Sequence, residues 1–389
     1  TQVFDRTAVQ RAVSILMKAK RPVLLAGSGI ASAHAEDHLR TLAELLPARV
    51  ATSPRGKGLF PEDHPLSLGV LGFAGHREAR DTILGDGVDV LLTVGASLNE
   101  TTTLNWHPGV RAGKTLLQLD IDPDRIGRNY PVDLPLVGDA QTILVELIYH
   151  AHRAIREGTV PQSTWKDCTP TVRGDGRYLT PELRTSSQSP VTPQRWRADL
   201  EEVLPADAII FSDIGGHMLC NLHYLCIRSG QRFVLNLGFG SMGHGVVAPI
   251  GAALAVPKHP VFAIIGDGGF TMNGMDILTA VECGAPVIWI VENNNMHGIT
   301  HFASKQLSPN GQPLRAATYR RAVDVAGIAK AMGVATWVVD APGRMQGAVR
   351  EALACGAPAL IEVRVDPTIA PPIGDRTNSL SGFIERTAR

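Results

Sequence analysis

The chain has 389 residues, of which 44% are hydrophobic and 19% charged, and its 37 basic residues balance its 37 acidic ones. This composition is typical of a globular protein with two or three domains and sizeable cores. The balanced charge excludes a general attraction to nucleic acid or to an anionic membrane, and no apolar run reaches the length of a bilayer span.

The cysteines indicate a reducing compartment. Their number is odd, no two of them form a Cys-x-x-Cys pair, and no signal peptide opens the sequence. We therefore expect a cytoplasmic protein without a disulfide framework. The five thiols are Cys168, Cys220, Cys226, Cys283 and Cys355.

Residues 1–155 form a first predicted domain. Residues 21–30 predict a strand that runs into a glycine turn, and residues 35–46 predict an amphipathic helix. Strands alternating with helices predict a parallel sheet. Further strands are predicted at 49–52, 88–94 and 115–121.

The turn after the first strand superficially matches a dinucleotide-binding fingerprint. Gly27 and Gly29 have the required spacing, but Ser32 stands where the third glycine belongs. The strand at 49–52 also ends without the acid that binds a ribose. We therefore favour a structural turn over a nicotinamide site.

A second domain is predicted beyond a linker. Residues 156–190 are polar and irregular, which predicts an exposed linker. Thr192 and Pro193 offer a cap and a first-turn proline for a helix that ends near Leu204. The second domain is expected over 191–367, with a tail at 368–389. The predicted fold class is α/β, with two doubly wound parallel-sheet, three-layer domains joined by the polar linker.

Two strand ends in the second domain carry metal-binding side chains. Residues 261–265 predict a buried strand that delivers Asp267 to its carboxyl end, where open α/β sheets bind ligands. A second strand, 286–291, leads to paired asparagines that include Asn294. Carboxylate, carboxamide and carbonyl oxygens suit Mg²⁺ when phosphates complete its octahedron. We predict Asp267, Asn294 and the carbonyl of Met296 as ligands of a magnesium ion that carries a diphosphate.

The glycines around Asp267 fit the same site. Gly266, Gly268 and Gly269 let the backbone pass close to an anion, and a helix predicted at 274–283 would direct its first-turn N–H groups at a phosphate. Gly-Asp-Gly is also common in ordinary turns. The strand before it, the helix after it and the second strand favour the metal site.

These motifs resemble those of the thiamine-diphosphate-dependent enzymes of the acetolactate synthase, pyruvate oxidase and benzoylformate decarboxylase group. The family signature begins with Gly-Asp-Gly, here residues 266–268, and ends in Asn-Asn, here residues 293–294. The resemblance implies thiamine diphosphate and Mg²⁺ as cofactors. It maps the magnesium ligands of the family onto Asp267, Asn294 and the main chain of Met296.

Residues 236–245 are similar to the family segment that carries the aminopyrimidine ring. The resemblance implies that the carbonyl of Gly240 accepts from the 4′-amino group. It also implies that Met242, beside Ser241, is the apolar support that bends the cofactor, a role that suits an unbranched thioether. In the bent cofactor, the 4′-imino nitrogen lies within reach of the proton that it removes from C2 of the thiazolium ring.

The loop at 213–217 resembles the family loop that touches the diphosphate through a Gln-His pair. Here Gly216 replaces the glutamine, so only His217, with Gly215 before it, is carried over. Residues after the asparagines usually face the substrate in the family, and Gly298 is carried over to the cofactor site. Three histidines are candidates to relay a proton or hold a carboxylate, and each is alternatively a hydrogen-bonded loop residue: His244, His297 and His301.

The first domain resembles the central, Rossmann-type domain of the family at 52–61, 119–127 and 137–140. In flavin-dependent members this domain holds FAD, near the positions of Asp122 and Asp139. Those members carry an arginine after the strand where residues 95–100 contain none. We therefore expect an empty structural domain rather than bound FAD.

The resemblance also implies a missing part. The complete chain of the family begins with a pyrimidine-binding domain, whose glutamate protonates N1′ of the cofactor, and no glutamate here matches it. We therefore expect a fragment, a processed product or one of two chains, which is inactive alone. We also expect a homodimer or homotetramer in which the domain is supplied across the interface.

Three function classes follow. The first is a thiamine-diphosphate-dependent enzyme that decarboxylates a 2-oxo acid and forms an enamine. If the enamine attacks a second carbonyl, the enzyme is an acetolactate synthase-like carboligase. If the enamine is protonated, the enzyme is a simple decarboxylase of the benzoylformate decarboxylase type. The second is a non-catalytic, cofactor-binding or regulatory chain. The third is a nicotinamide oxidoreductase, which needs the acid that the strand at 49–52 lacks.

Overall fold

The computed structural model describes residues 4–165, 175–374 and residue 378. The chain divides into two compact units, Thr1–Arg177 and Tyr178–Arg389. Each unit contains one six-stranded sheet whose strands are all parallel. The predicted α/β class with two parallel-sheet domains is confirmed. The domain limits proposed from the sequence stay a prediction, and Cys168 and most of the tail lie outside the described residues.

Unit 1 has the strand order β3-β2-β1-β4-β5-β6. Its strands are β1 (Pro22–Ala26), β2 (Arg49–Thr52), β3 (Ser67–Val70), β4 (Val90–Val94), β5 (Thr115–Asp120) and β6 (Leu134–Val137). Its α-helices are α1 (Arg6–Lys18), α2 (Gly29–Ser32), α3 (Glu36–Leu45), α4 (Arg77–Leu84), α5 (Glu100–Thr103) and α6 (Ala140–Arg156).

Unit 2 has the strand order β11-β12-β10-β9-β7-β8. Its strands are β7 (Ile209–Ser212), β8 (Arg232–Leu235), β9 (Val261–Gly266), β10 (Val287–Asn293), β11 (Ala335–Val339) and β12 (Ala359–Arg364). Its α-helices are α7 (Pro193–Glu201), α8 (Gly216–Tyr224), α9 (His244–Ala255), α10 (Asp267–Asn273), α11 (Ile277–Cys283), α12 (Gly298–Leu307), α13 (Val325–Ala331) and α14 (Met345–Cys355).

Strand β9 shows why each sheet is buried on both faces. Successive side chains of a strand point to opposite faces. Phe262 and Ile264 pack with residues of α7 and α14, whereas Ala263 and Ile265 pack with residues of α9, α11 and α13. A continuous apolar run is therefore needed, because helices cover the sheet from both sides.

The structure differs from the sequence predictions at two helices. A 3-10 turn (Gly274–Asp276) and α11 cover the helix predicted at 274–283, but a separate helix, α10, begins at Asp267, so Gly268 and Gly269 lie in its first turn. Thr192 does cap α7, through a hydrogen bond from the N–H of Arg195, but that helix ends at Glu201. Capping is a local signal, whereas the end of a helix depends on packing.

The segment predicted as an exposed linker is partly buried. Trp165 is 8% exposed in unit 1, and its Nε1–H donates to the carbonyl of Pro22 over 2.9 Å. In unit 2, the side chain of Thr180 lies 2.7 Å from the hydroxyl of Tyr224. Most of the described residues in 156–190 are exposed or half-buried, as predicted. Polar composition did not reveal these contacts because they join residues that are far apart in sequence.

Two absences concern only the residues that the structure describes. No helix among them is long and apolar enough to span a bilayer. The four cysteines in the described ranges form no disulfide: Cys220, Cys226, Cys283 and Cys355.

The strand order of unit 1 reverses between β1 and β4, the position where doubly wound sheets open a ligand crevice. Here backbone bonds join the two loops, because the N–H of Gly27 donates to the carbonyl of Val94 and the N–H of Gly29 to that of Gly95. A Cβ added to Gly95 would lie 2.6 Å from the Cα of Gly29. The backbones approach too closely for any side chain. The prediction that this unit holds no FAD stays a prediction.

We expect Gly95→Ala to lower the free energy of unfolding by on the order of 3 kcal/mol, because it combines a left-handed φ of +56° with a backbone clash. Gly113→Ala is the matched control, since Gly113 has a φ of +70° but nothing within 4 Å of its added Cβ. The control should cost only about 1 kcal/mol. Urea unfolding measures the free energy of unfolding of both variants. Equal losses of stability would contradict the argument that the two backbones approach closely at Gly95.

Candidate functional site

Unit 2 contains a cavity of about 230 Å³ at the carboxyl ends of its central strands. The sheet order reverses between β7 and β9, and the cavity lies at this switch point, where such sheets bind ligands. Its lining residues are Ile214, Gly215, Gly216, His217, Gly240, Met242, Gly266, Asp267, Gly268, Glu292, Asn294, Met296, His297, Gly298, Ile299 and Thr300.

The structure brings most of the candidate residues together in this one cavity, although they were read from four separate segments. Ser241, His244 and Gly269 do not line it. Glu292 does line it, and sequence reasoning missed it as a site residue. The available signal was its position two residues before Asn294, at the end of an apolar strand.

Asp267 is the central charged residue of the cavity. Its side chain accepts from the N–H of Gly268 over 2.8 Å at Oδ1, whereas Oδ2 is buried without a hydrogen-bond partner in the described structure. Burial raises the pKa of this carboxyl to about 7, against the opposing effect of backbone N–H groups from Gly268, Asn295 and Met296. An unpartnered buried carboxylate oxygen is costly unless a cation meets it.

The three consecutive asparagines after β10 have three different environments. The amide of Asn293 donates to the carbonyl of Val323 and to Oε1 of Glu362, each over 2.9 Å. Asn294 faces the cavity, and its Oδ1 accepts from the N–H of Met296 over 3.1 Å. A second lone pair of that oxygen is still available to a cation. Asn295 turns the chain with a φ of +55°.

His217 provides a second unpartnered polar atom. Its ring is buried beside Gly215 and Gly266, where an added Cβ would lie 2.5 Å and 2.9 Å from the imidazole. Burial lowers the pKa of His217, partly offset by Asp213, so the ring is neutral. Its Nε2 has no partner among the described residues. In the tautomer that protonates Nε2, this ring donates a hydrogen bond to an anion in the cavity.

Asp213, which the sequence analysis did not select, organises the segment that carries Met242. Its fully buried carboxylate accepts from the N–H of Gly243 over 2.9 Å and from the N–H of Gly245 over 3.1 Å. A Cβ on Gly269 would lie 2.2 Å from its Oδ2. The close approach of this carboxylate is enough to require glycine at position 269, and the predicted role of Gly269 beside a bound anion stays a prediction.

Met242 and His297 both approach Gly268 closely. A Cβ on Gly268 would come within 2.9 Å of both Cε of Met242 and Nδ1 of His297. The His297 ring packs edge-on against Tyr319 with centroids 5.2 Å apart. Position 268 therefore has no room for a side chain, and its glycine lets Met242 and His297 both line the cavity beside the backbone.

The other two candidate histidines lie away from the cavity lining. His244 is the first residue of α9. The ring of His301 lies 3.2 Å from the hydroxyl of Thr318, and burial lowers its pKa. His301 is hydrogen-bonded as the alternative interpretation predicted, but it lies in α12 and not in a loop. Neither His244 nor His301 lines the cavity.

The residues present fit a metal-bound diphosphate. Among the described residues no group of three His, Cys, Asp or Glu side chains could hold a metal. Mg²⁺ does not require such a group, because it accepts one or two protein side chains together with phosphate and water oxygens. The unpartnered Oδ2 of Asp267 suits a hard cation, and the unpartnered Nε2 of His217 suits a phosphate oxygen.

Two family models match this chain. Residues 213–363 match the C-terminal TPP binding domain of thiamine pyrophosphate enzymes, and residues 9–147 match the central domain. The chain belongs to the thiamine pyrophosphate enzymes. The cavity lies within the TPP binding domain, which supports thiamine diphosphate as the ligand of this thiamine pyrophosphate enzyme.

Within this family, the chain is similar to proteins that are named acetolactate synthase large subunits. The chain is 29% identical over 402 residues to a probable acetolactate synthase large subunit of Methanococcus aeolicus, covering 99% of this chain and 65% of that protein. A probable acetolactate synthase large subunit of Methanocaldococcus jannaschii is 30% identical over 380 residues, with 95% and 62% covered. The acetolactate synthase isozyme 3 large subunit of Escherichia coli is 30% identical over 310 residues, with 77% and 51% covered. The chain thus spans less than two thirds of the length of these relatives.

We expect Asp213→Asn to weaken binding of thiamine diphosphate with Mg²⁺ by about tenfold, because one carboxamide cannot accept from both backbone N–H groups. Binding of pyrophosphate with Mg²⁺ should change little, because Asp213 fixes the Met242 segment rather than the diphosphate end. Calorimetry measures both. Asp207→Asn, at a half-exposed position, is the control. If the variant loses as much affinity for pyrophosphate as for thiamine diphosphate, the role assigned to Asp213 is contradicted.

Proposed function

We propose that this chain binds thiamine diphosphate and Mg²⁺ in an acetolactate synthase-like enzyme, which decarboxylates a 2-oxo acid and joins the product to a second carbonyl compound. The observation that carries the proposal is the buried, unpartnered Oδ2 of Asp267, which lies in one cavity with Asn294. The names of the similar proteins support the carboligase type.

Three residues hold the metal in this proposal. Asp267 provides its free oxygen, Asn294 the second lone pair of its Oδ1, and Met296 its main-chain carbonyl. A bound cation keeps Asp267 ionised despite burial, since an opposite charge favours the charged form. His217 donates from Nε2 to a phosphate oxygen, and Gly268 lets the backbone approach the diphosphate.

The other end of the cavity orients the rings. Thiamine diphosphate would supply the carbon nucleophile and would accept the electron pair that stays behind when carbon dioxide leaves. Met242 would support the cofactor as its apolar neighbour, and the carbonyl of Gly240 would accept a hydrogen bond from its amino group. Asp213 holds this segment in place through Gly243 and Gly245.

His297 is the proposed contact for the substrate. It lines the cavity next to Met296, and its ring is held by the edge-on contact with Tyr319, whose hydroxyl lies 3.5 Å from Nε2. An imidazole at this position can hold a carboxylate of the 2-oxo acid or transfer a proton at its carbonyl.

A pyrimidine-binding domain, in the same protein or in a second chain, completes the site in this proposal. The matched relatives are longer than this chain, which leaves room for such a domain. We further propose a homo-oligomer. Unit 2 exposes an apolar face on and near α9–α11, and exposed apolar faces of this kind mark protein interfaces. The face comprises Phe239, Val247, Leu254, Met272, Met275 and Leu278.

We expect Asp267→Ala to lower the affinity for thiamine diphosphate with Mg²⁺ by about 100-fold or more, because the diphosphate loses its charged metal bridge. Asp276→Ala is the matched control, since Asp276 accepts from Asn273 and does not line the cavity. The control should change the affinity less than about threefold. Calorimetry with thiamine diphosphate and Mg²⁺ measures the affinity of both variants. Similar losses of affinity in the two variants would refute the assignment of Asp267 as a metal ligand.

Activity separates the remaining alternatives. The chain is supplied with a pyrimidine-binding domain, thiamine diphosphate and Mg²⁺, and carbon dioxide release is measured from pyruvate and larger 2-oxo acids. A product with a new carbon–carbon bond supports the carboligase. Carbon dioxide with only an aldehyde product supports the simple decarboxylase, and no release from any donor supports a non-catalytic or regulatory chain.

We expect Leu254→Lys to dissociate the oligomer, because a charge on the apolar face opposes burial. Sedimentation velocity measures the mass in solution. Ile328→Lys, on the exposed side of α13, is the control and should leave the mass unchanged. An unchanged mass in the Leu254 variant would exclude this face as the interface.

A further inference from the structure

Asn295 lies between two of the proposed metal ligands and is not one of them. It follows Asn294 and precedes Met296, which both line the cavity. Its backbone is left-handed, with a φ of +55°. This conformation is unfavourable for residues that carry a side chain, although asparagine adopts it more readily than most. The residue between the two ligands is therefore restricted in its backbone conformation.

Three polar groups of Asn295 are hydrogen-bonded within unit 2. Its N–H donates to Oδ1 of Asn293 over 3.2 Å, and its carbonyl accepts from the N–H of Tyr319 over 3.0 Å. Its side-chain Oδ1 accepts from the N–H of Val323 over 3.3 Å. These bonds come from two separate parts of the chain. They fix the left-handed conformation before any ligand binds.

Residues 317–323, which we name the bracing segment, also bond to the residues that follow in the loop. The N–H of His297 donates to the carbonyl of Ala317 over 2.9 Å. Met296 forms an isolated antiparallel bridge with Thr318. Three consecutive residues of the metal-binding loop are therefore tied to one segment, which lies about twenty residues further along the chain.

The relative position of the two ligands depends on the residue between them. Oδ1 of Asn294 accepts from the N–H of Met296 over 3.1 Å. A rotation about φ or ψ of Asn295 would break this bond, and it would move the Met296 carbonyl relative to that oxygen. Because Mg²⁺ demands near-ideal octahedral geometry, two oxygens from one loop must keep fixed relative positions.

We propose that Asn295 is a positioning residue of the metal site: its left-handed conformation, held by the bracing segment, directs the oxygens of Asn294 and Met296 to one cation. This inference rests on the proposed function. Asn295 acts through its two neighbours and does not itself bind the metal. Loss of a residue that orients metal ligands typically lowers metal affinity by about 10- to 100-fold, because the ligands are then no longer held in place.

Asn295→Ala and Asn295→Gly form a matched pair that separates the backbone conformation from the side chain. Both variants lose the bond to Val323, but glycine adopts the left-handed conformation without a steric penalty and alanine does not. We expect the affinity for pyrophosphate with Mg²⁺ to fall by about tenfold or more in the alanine variant. In the glycine variant it should fall by less than about threefold, because the conformation is retained. Calorimetry measures both affinities.

His34→Ala is the control for the general effect of alanine at a left-handed position. His34 has a φ of +50° and lies in unit 1, whereas the residues that line the cavity belong to unit 2. This variant should lose stability in urea unfolding and keep the parent affinity for pyrophosphate with Mg²⁺. Circular dichroism confirms that each variant folds before calorimetry.

The outcomes separate this inference from the proposed function. If Asn295→Ala loses stability but keeps the parent affinity, Asn295 has only a structural role and the inference is overturned while the proposed site stands. A tenfold loss in Asn295→Gly overturns it as well, even if the alanine variant does not fold, because the left-handed conformation would then not be what positions the ligands. If the parent chain binds neither pyrophosphate nor thiamine diphosphate with Mg²⁺, the proposed function fails and the inference fails with it.

Discussion

The site depends on a carboxylate that the fold buries with one oxygen unpartnered. Asp267 follows β9 directly, where parallel pairing with β10 brings it beside the loop that contains Asn294. Its Oδ1 accepts from the N–H of Gly268, and its Oδ2 has no hydrogen-bond partner in the described structure. Burial of such an oxygen lowers stability, so the fold retains it at the expense of folding energy, as is common where ligands bind.

Three buried acids of unit 2, Asp213, Glu292 and Asp267, differ in their hydrogen-bond partners. Asp213 has no cation among its direct partners and is satisfied by the N–H groups of Gly243 and Gly245, so its carboxylate serves to fix the backbone. Glu292 pairs with the buried guanidinium of Arg197 over 2.8 Å. Of these three acids, Asp267 is the one that has an oxygen without a partner in the described structure. Three buried acids in unit 2 therefore have three different environments.

Local patterns predicted much of the fold. The apolar runs before Asp267 and Asn294 predicted β9 and β10 because a strand covered on both faces requires a continuous apolar stretch. The same reasoning predicted the helix at 274–283 but missed α10 before it, in whose first turn Gly268 and Gly269 lie. Glycine is there because Met242, His297 and the Asp213 carboxylate approach the helix closely, and a single sequence does not show such approaches.

The sequence by itself determined the α/β class, most of the strands and the segments that line the candidate site, because these follow from the periodicity and spacing of neighbouring residues. Only the tertiary structure decided how the site is supported. Arg197 and Glu292 are 95 residues apart in the chain, and Asn293 and Glu362 are 69 apart. Those partners meet because parallel strands bring their carboxyl ends to one edge of the sheet, and helix packing then selects which distant side chains face them.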